Sequence, residues 1–192
     1  MSMSTLKART ILCCLVSLSL CGGAWKENGK PVPDTAWAKS DGDFVAQLVF
    51  SDTPNDTFKK GDRPEPAALL SGTRKALRGA PIVAVVYFSG CAADAKGNCD
   101  ATVRFSAQAP DGKPWSDPIE GELWLNKLPP GKGQMQLSVK NMGILIETGD
   151  ALGVYKVRAD IEDKIAKKKM VLEKEFTAVE APAGSSSGSS SP

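Results

Sequence analysis

Histidine is absent from the 192 residues. The chain therefore has no imidazole to activate a serine or cysteine nucleophile, and no usual three-ligand catalytic zinc site. Thiols and carboxylates remain. Cys91 and Cys99 are separated by Ala92-Ala93-Asp94-Ala95-Lys96-Gly97-Asn98. Redox pairs usually stand as Cys-x-x-Cys at a helix N-terminus. Seven intervening residues rich in turn formers suit a structural disulfide instead, closing a short loop. Glycoside hydrolysis needs only two carboxylates, and Glu120 with Glu122, and Glu173 with Glu175, are each spaced two apart. On a strand that spacing puts both on one face, which is also how a solvated charged face reads. The expectation is a solvated face and no catalytic residue.

Asp94, Asn98 and Asp100 lie in and beside the Cys91–Cys99 loop and offer oxygen atoms to a cation such as Ca²⁺. The spacing departs from an EF-hand: Lys96 occupies a position where a ligand is wanted, and no bidentate Glu follows at the required distance. Asp, Gly and Asn at a hairpin tip also satisfy turn geometry by themselves, and that reading is preferred. Trp115 and Trp124 flank Ser116 to Leu123. Exposed aromatics on a β-protein stack on sugars or anchor a partner. Trp115, in a loop just after a turn, is the candidate contact residue; Trp124 is expected to pack inside. No phosphate-binding Gly-rich loop of a recognised kind is present.

Strands must position these residues, because period-two alternation dominates the chain. Phe44, Ala46, Leu48 and Phe50 alternate along a first strand. Pro81 to Phe88 is a continuous apolar run rich in β-branched residues, as in a strand that is central or covered on both faces. Alternation recurs at Ala101, Val103, Phe105 and Ala107; at Met135, Leu137 and Val139; and at Tyr155, Val157, Ala159 and Ile161. Met170, Leu172 and Phe176 form the apolar face of a last strand, with Lys174 breaking the pattern. Weaker strands are expected over 68–75, 119–125 and 144–147. Pro110-Asp111-Gly112-Lys113, Pro129-Pro130-Gly131 and Gly149-Asp150 mark turns. Residues 52–61 admit at most a turn of helix, with Pro54, Asn55 and Gly61 favouring a loop. Many short strands with turns between them point to a β-sandwich over residues 43–178.

The ends read differently. Lys7 and Arg9, an apolar run from Ile11 to Cys21, and Gly22-Gly23-Ala24 form the three parts of a secretory signal peptide over residues 1–24. The run is too short for a membrane span, which takes roughly 20 apolar residues. Lipidation at Cys21 is the alternative, and Leu18-Ser19-Leu20 counts against it, because it puts the bulky Leu20 where a small residue is usual. Removing residues 1–24 takes away two basic residues and three cysteines. That leaves 22 basic against 22 acidic side chains and the single pair Cys91 and Cys99. A neutral mature chain gives no electrostatic case for binding nucleic acid. One pair in an exported chain is most simply a disulfide. Residues 25–42 read as an extended leader containing Trp25 and Trp37, and residues 179–192 as a disordered Ser/Gly-rich tail.

The stretch from Ile146 to Val157, with Gly153-Val154-Tyr155 at its end, resembles the Gly-x-Tyr opening of the penultimate strand in immunoglobulin-like and macroglobulin-type β-sandwich modules. Phe105 to Gly112 and Leu172 to Phe176 are similar to other strands of those modules, so the resemblance covers about half of the chain. It implies an antiparallel sandwich in which Tyr155 is the corner tyrosine, its ring in the core and its hydroxyl on nearby backbone. Val157 stands where antibody-type domains carry the second core cysteine, and Asp150 lies one residue further from the tyrosine than in antibody variable domains. Both departures separate the chain from antibody-type kinship. The whole is also similar to uncharacterised small exported bacterial proteins.

The expectation is an all-β, immunoglobulin-like, periplasmic or secreted protein without a cofactor, serving as a non-catalytic module that binds another envelope or extracellular protein. The alternative is a carbohydrate- or Ca²⁺-binding accessory domain using Trp115 or the Cys91–Cys99 loop.

Overall fold

A computed structural model describes residues 26–27, 30–31, 33–52, 73–131 and 134–182. The expected signal peptide with Cys21, Trp25, nearly all of 52–61, most of 68–75 and the residues beyond 182 lie outside the described residues. Strands form where alternation and β-branching are strongest: β4 (Phe44–Ser51), β6 (Ile82–Ser89), β7 (Asp100–Gln108), β11 (Gly153–Asp163) and β12 (Lys168–Val179). Between them run β5 (Lys75–Leu77), β8 (Ile119–Leu125), β9 (Gln136–Leu137) and β10 (Met142–Ile144). Near the N-terminus are β1 (Lys26–Glu27), β2 (Lys30–Pro31) and β3 (Ala38–Asp41). Among the described residues there is no helix.

β1 and β2 pair only with each other; the remaining strands build two five-stranded sheets. The first runs β10-β6-β4-β3, with β9 also on β6, and the second runs β5-β12-β11-β7-β8. All pairings are antiparallel except β5 beside β12. Between the sheets lies one apolar core. It takes Phe44, Ala46, Leu48 and Phe50 from β4, Ala84, Val86 and Phe88 from β6, Val103 and Phe105 from β7, Tyr155 and Val157 from β11, and Leu172 and Phe176 from β12. Each large side chain buried there stabilises the fold by about 1.5–3 kcal/mol.

β6 is central and buried along its length, as its continuous apolar run requires. β4 is buried on both faces as well. On the side away from the core, Val49, Val85 and Tyr87 cluster with the partly buried Met135 and Leu137. The alternation in β4 therefore does not mark a solvent face.

Two expectations need adjusting at the edges. The leader supplies β3, which pairs with β4 through Ala38↔Gln47 and Asp41↔Phe44. At the other end Val179 still belongs to β12, and its carbonyl accepts from Arg78 N at 2.9 Å.

At two places neighbouring residues hydrogen-bond to opposite sheets. The Ala36 carbonyl accepts from Glu173 N of the second sheet (2.7 Å), while the next carbonyl, that of Trp37, accepts from Leu48 N of the first (2.8 Å). Ser138 N donates to Val86 O (2.7 Å), and then Val139 and Lys140 donate to Leu123 and Glu122 on β8. The buried Ser138 hydroxyl fills the resulting break: its Oγ accepts from Val86 N at 3.1 Å and donates to Lys140 O at 2.7 Å. Gly90 is needed at a close approach. Its φ is +77°, and a Cβ there would fall 1.8 Å from the Asp43 carbonyl oxygen.

Candidate functional site

The described residues bring Trp115 and Tyr155 together at one end of the sandwich. The Gly112 turn (φ +81°) closes with Gly112 N on Ala109 O, and Trp115 N then returns to Ala107 O, which aims the indole back at the sheet. Its ring meets Tyr155 edge-on, with centroids 5.5 Å apart. Tyr155 stacks on Phe176 (5.2 Å), and Phe176 meets Phe50 edge-on (5.5 Å), so one aromatic column joins this corner to the opposite sheet. The wholly buried Tyr155 donates its hydroxyl to Ala151 O at 2.8 Å. Burial pushes that phenol above its usual range.

Asp150 is the hinge of the corner. One carboxylate oxygen accepts the Trp115 indole N–H at 3.0 Å, and the other accepts Glu147 N at 2.8 Å. These hydrogen bonds, with the Arg78 charge, hold its pKa below the ordinary carboxylate range. Arg78 reaches in from the far end of β5. Its guanidinium donates to the carbonyls of Glu147 and Asp150 and pairs with Glu180 at 3.0 Å. Beside this lies an open groove of about 440 Å³, lined by Arg78, Gly79, Leu145, Ile146, Glu147, Thr148 and Gly149. Leu145 is 42% exposed at the groove, and Leu77, Leu152 and Val154 are exposed on the outer side of the same end.

This end is also where the first sheet stops. β10 is the last strand in its order, and among the described residues nothing pairs with its free side. Space beyond the Cα of Gly143 is open. β10 pairs with β6 at Met142↔Ala84 and Ile144↔Ile82, and its chain runs directly into the groove at Leu145.

The other candidates fall elsewhere. Cys91 and Cys99 form a disulfide across a sequence separation of 8, which points to a non-cytoplasmic setting. In its loop, Asp94 Oδ1 accepts from Lys96 N (2.8 Å) and Asn98 N (2.9 Å), and these backbone contacts lower its pKa. Asp100 faces Lys164 at 3.4 Å. Among the described residues no group of three or more His, Cys, Asp or Glu side chains is disposed to hold a metal. Glu120 stands opposite Arg104 and Glu122 opposite Thr102 on β7. Glu173 pairs with Arg158 and Glu175 with Lys156. The two carboxylate pairs thus lie on β8 and β12, with β7 and β11 between them. Trp124 packs partly buried against the core, edge-on to Phe88, and donates its indole N–H to Leu128 O.

Sequence reasoning passed over Arg78, Leu145 and the hinge role of Asp150. Arg78 and Glu180 are 102 positions apart, so no local pattern carries that contact.

No family model matches the chain, and no curated protein matches it either. Solved structures similar to it are distant. An alkylpurine DNA glycosylase from Pseudomonas fluorescens is 12% identical with a TM-score of 0.38, covering 71% of this chain and 30% of its own. A family 123 glycoside hydrolase from Clostridium perfringens is 8% identical with a TM-score of 0.38, covering 71% and 27%. A Niemann-Pick type C2 protein from the Japanese carpenter ant is 11% identical with a TM-score of 0.34, covering 70% and 89%. The chain spans less than a third of the first two. Likeness at this level identifies neither a family nor an activity.

Proposed function

We propose that this chain is an immunoglobulin-like, non-catalytic interaction module of the periplasm or extracellular space. It binds another envelope or extracellular protein by adding an extended segment of that partner to the β10 edge. The observation that carries this reading is the continuity, among the described residues, of a free sheet edge with a groove of mixed lining that exposes Leu145. Among the described residues β10 offers unpaired backbone, and the chain leads straight to the exposed Leu145 and the groove beside Arg78. Strand addition uses those two features together: main-chain hydrogen bonds supply affinity, and a pocket for an alternate side chain supplies specificity. The charged outer face of the second sheet does not compete as a docking surface, because its ion pairs are already matched across neighbouring strands.

A photo-crosslinking amino acid at position 143 or 145, and at position 104 on the charged face, tests the reading in cells that make the protein. Crosslinks to one protein from 143 and 145, absent from 104 and abolished by adding Leu145→Lys to the 143 variant, are the expected result. Equal labelling from all three positions, or none from 143 and 145, would overturn it.

A further inference from the structure

Lys174 breaks the apolar face of β12 because it stands on the inner side of the strand, between the core residues Leu172 and Phe176. Its ammonium lies 5.1 Å from the Trp37 ring centroid and 5.5 Å from that of Phe50. Two aromatic faces stabilise a cation partly withdrawn from water, but they do not neutralise it. The other charge bearing on it is also positive. Arg74 directly precedes β5, and its carbonyl accepts from Thr177 N at 2.8 Å. The parallel register Thr177↔Lys75 and Ala178↔Ala76 puts Arg74, itself exposed in the bend before β5, two residues ahead of the buried Ala76, and its charge bears on Lys174. Among the described residues, neither cation has a carboxylate within ion-pair distance. By contrast, Lys156, Arg158, Lys164, Lys168 and Lys169 all do.

We propose that Arg74 and Lys174 form an anion site at the rim between the sheets, which takes the carboxylate of a small organic acid whose apolar body lies against Trp37. The site is separate from the β10 edge and does not depend on its partner. Burial and then the Arg74 charge lower the Lys174 pKa, so an anion placed against both cations would be held by each of them. Arg74 supplies a planar fork suited to a carboxylate, and Lys174 supplies a point charge. An organic acid fits better than a fully hydrated inorganic anion, because half of the site is aromatic: Trp37 is 37% exposed beside the ammonium, and Phe50 closes the inner side.

The test titrates the full-length mature protein with phenylacetate, acetate and inorganic phosphate, following the Lys174 side-chain nitrogen and Trp37 indole signals by NMR. Phenylacetate is expected to bind tightest and to shift both signals. Replacing a charge-assisted contact should weaken binding about tenfold or more for Lys174→Met, and several-fold for Arg74→Gln. Without ligand, Lys174→Met should melt no lower than the parent chain, because it removes an unneutralised cation from an apolar face; that keeps loss of binding distinct from loss of fold. Phosphate binding as tightly as phenylacetate would overturn the assignment to organic acids. Absence of any saturable shift at Lys174 would overturn the site.

Discussion

The buried carboxylate of Asp163 sits 2.7 Å from the backbone nitrogen of Ala92, the residue that follows the first disulfide cysteine. Its other oxygen accepts from Ile165 N and Ala166 N, both at 3.0 Å. One wholly buried side chain therefore closes the β11–β12 hairpin and ties the Cys91–Cys99 loop to it. Asp163→Ala would strand three N–H groups and is expected to cost about 2–4 kcal/mol, read as a lower urea midpoint with an unchanged slope. Asp163→Asn retains one accepting oxygen and should lose less. If Asp163→Ala melts like the parent, the hairpin does not depend on this acid.

Ser138 makes a second prediction about satisfied backbone. Its hydroxyl accepts the Val86 N–H where the strand leaves the first sheet. Ser138→Ala leaves that buried donor with no side-chain acceptor, for a loss of about 1–3 kcal/mol. Hydrogen exchange at Val86 should accelerate more than at Val85 or Phe88. Uniform acceleration along β6 would instead point to a general loosening of the sheet.

Acid should release the Trp115 corner. Asp150 titrates lower in the folded chain than in the unfolded one. Its contribution is therefore complete above the unfolded carboxylate value of about 3.9, and is lost as pH falls from there through the folded value. Asp150→Asn keeps an acceptor for only one of its two donors and should be less stable than the parent at pH 7. The gap between the two proteins should narrow in melts run below about pH 4. A gap that persists unchanged at pH 2.5 would show that the charge of Asp150 is irrelevant to the corner.

Reduction of Cys91–Cys99 should weaken the protein without unfolding it. A loop this short limits the chain-entropy contribution to about 2–3 kcal/mol. The loop is also held independently: Cys99 N donates to Lys127 O, Asn126 N donates to Cys99 O, and Ala92 N reaches Asp163. The reduced protein should keep its far-ultraviolet spectrum and melt cooler. The double variant Cys91→Ala with Asp163→Ala should lose more than the two single losses added, because both hold one segment.

The long strands were legible in the sequence because their information is local. Alternation over 44–50, 101–107 and 155–161 marks β4, β7 and β11, and the unbroken run before Ser89 marks the central β6. Met135, Leu137 and Val139 alternate just as regularly, yet β9 ends at Leu137. There Ser138 still donates its backbone N–H to Val86 but accepts through its side chain, and the next two residues join the other sheet. Alternation cannot distinguish a strand that continues from one that changes partners. Residues 144–147 carried the signal of a strand that in fact spans Met142–Ile144, and β3 is built from Ala-Lys-Ser-Asp, a sequence with little β-propensity. Trp115 and Tyr155 could be singled out from residue type and turn context. Asp150 as the partner of Trp115, and the neighbouring Arg78, could not, because the contacts Trp115–Asp150 and Arg78–Glu180 span 35 and 102 positions.

At Ala36–Trp37 and again at Ser138–Lys140, adjacent residues hydrogen-bond to opposite sheets. Peeling one layer from the other therefore means breaking backbone ladders as well as parting side chains. Neither layer has a route to come away intact, so partly opened forms are penalised at two separate points along the chain. The two layers behave as one cooperative unit, and heat or denaturant should remove both in a single step.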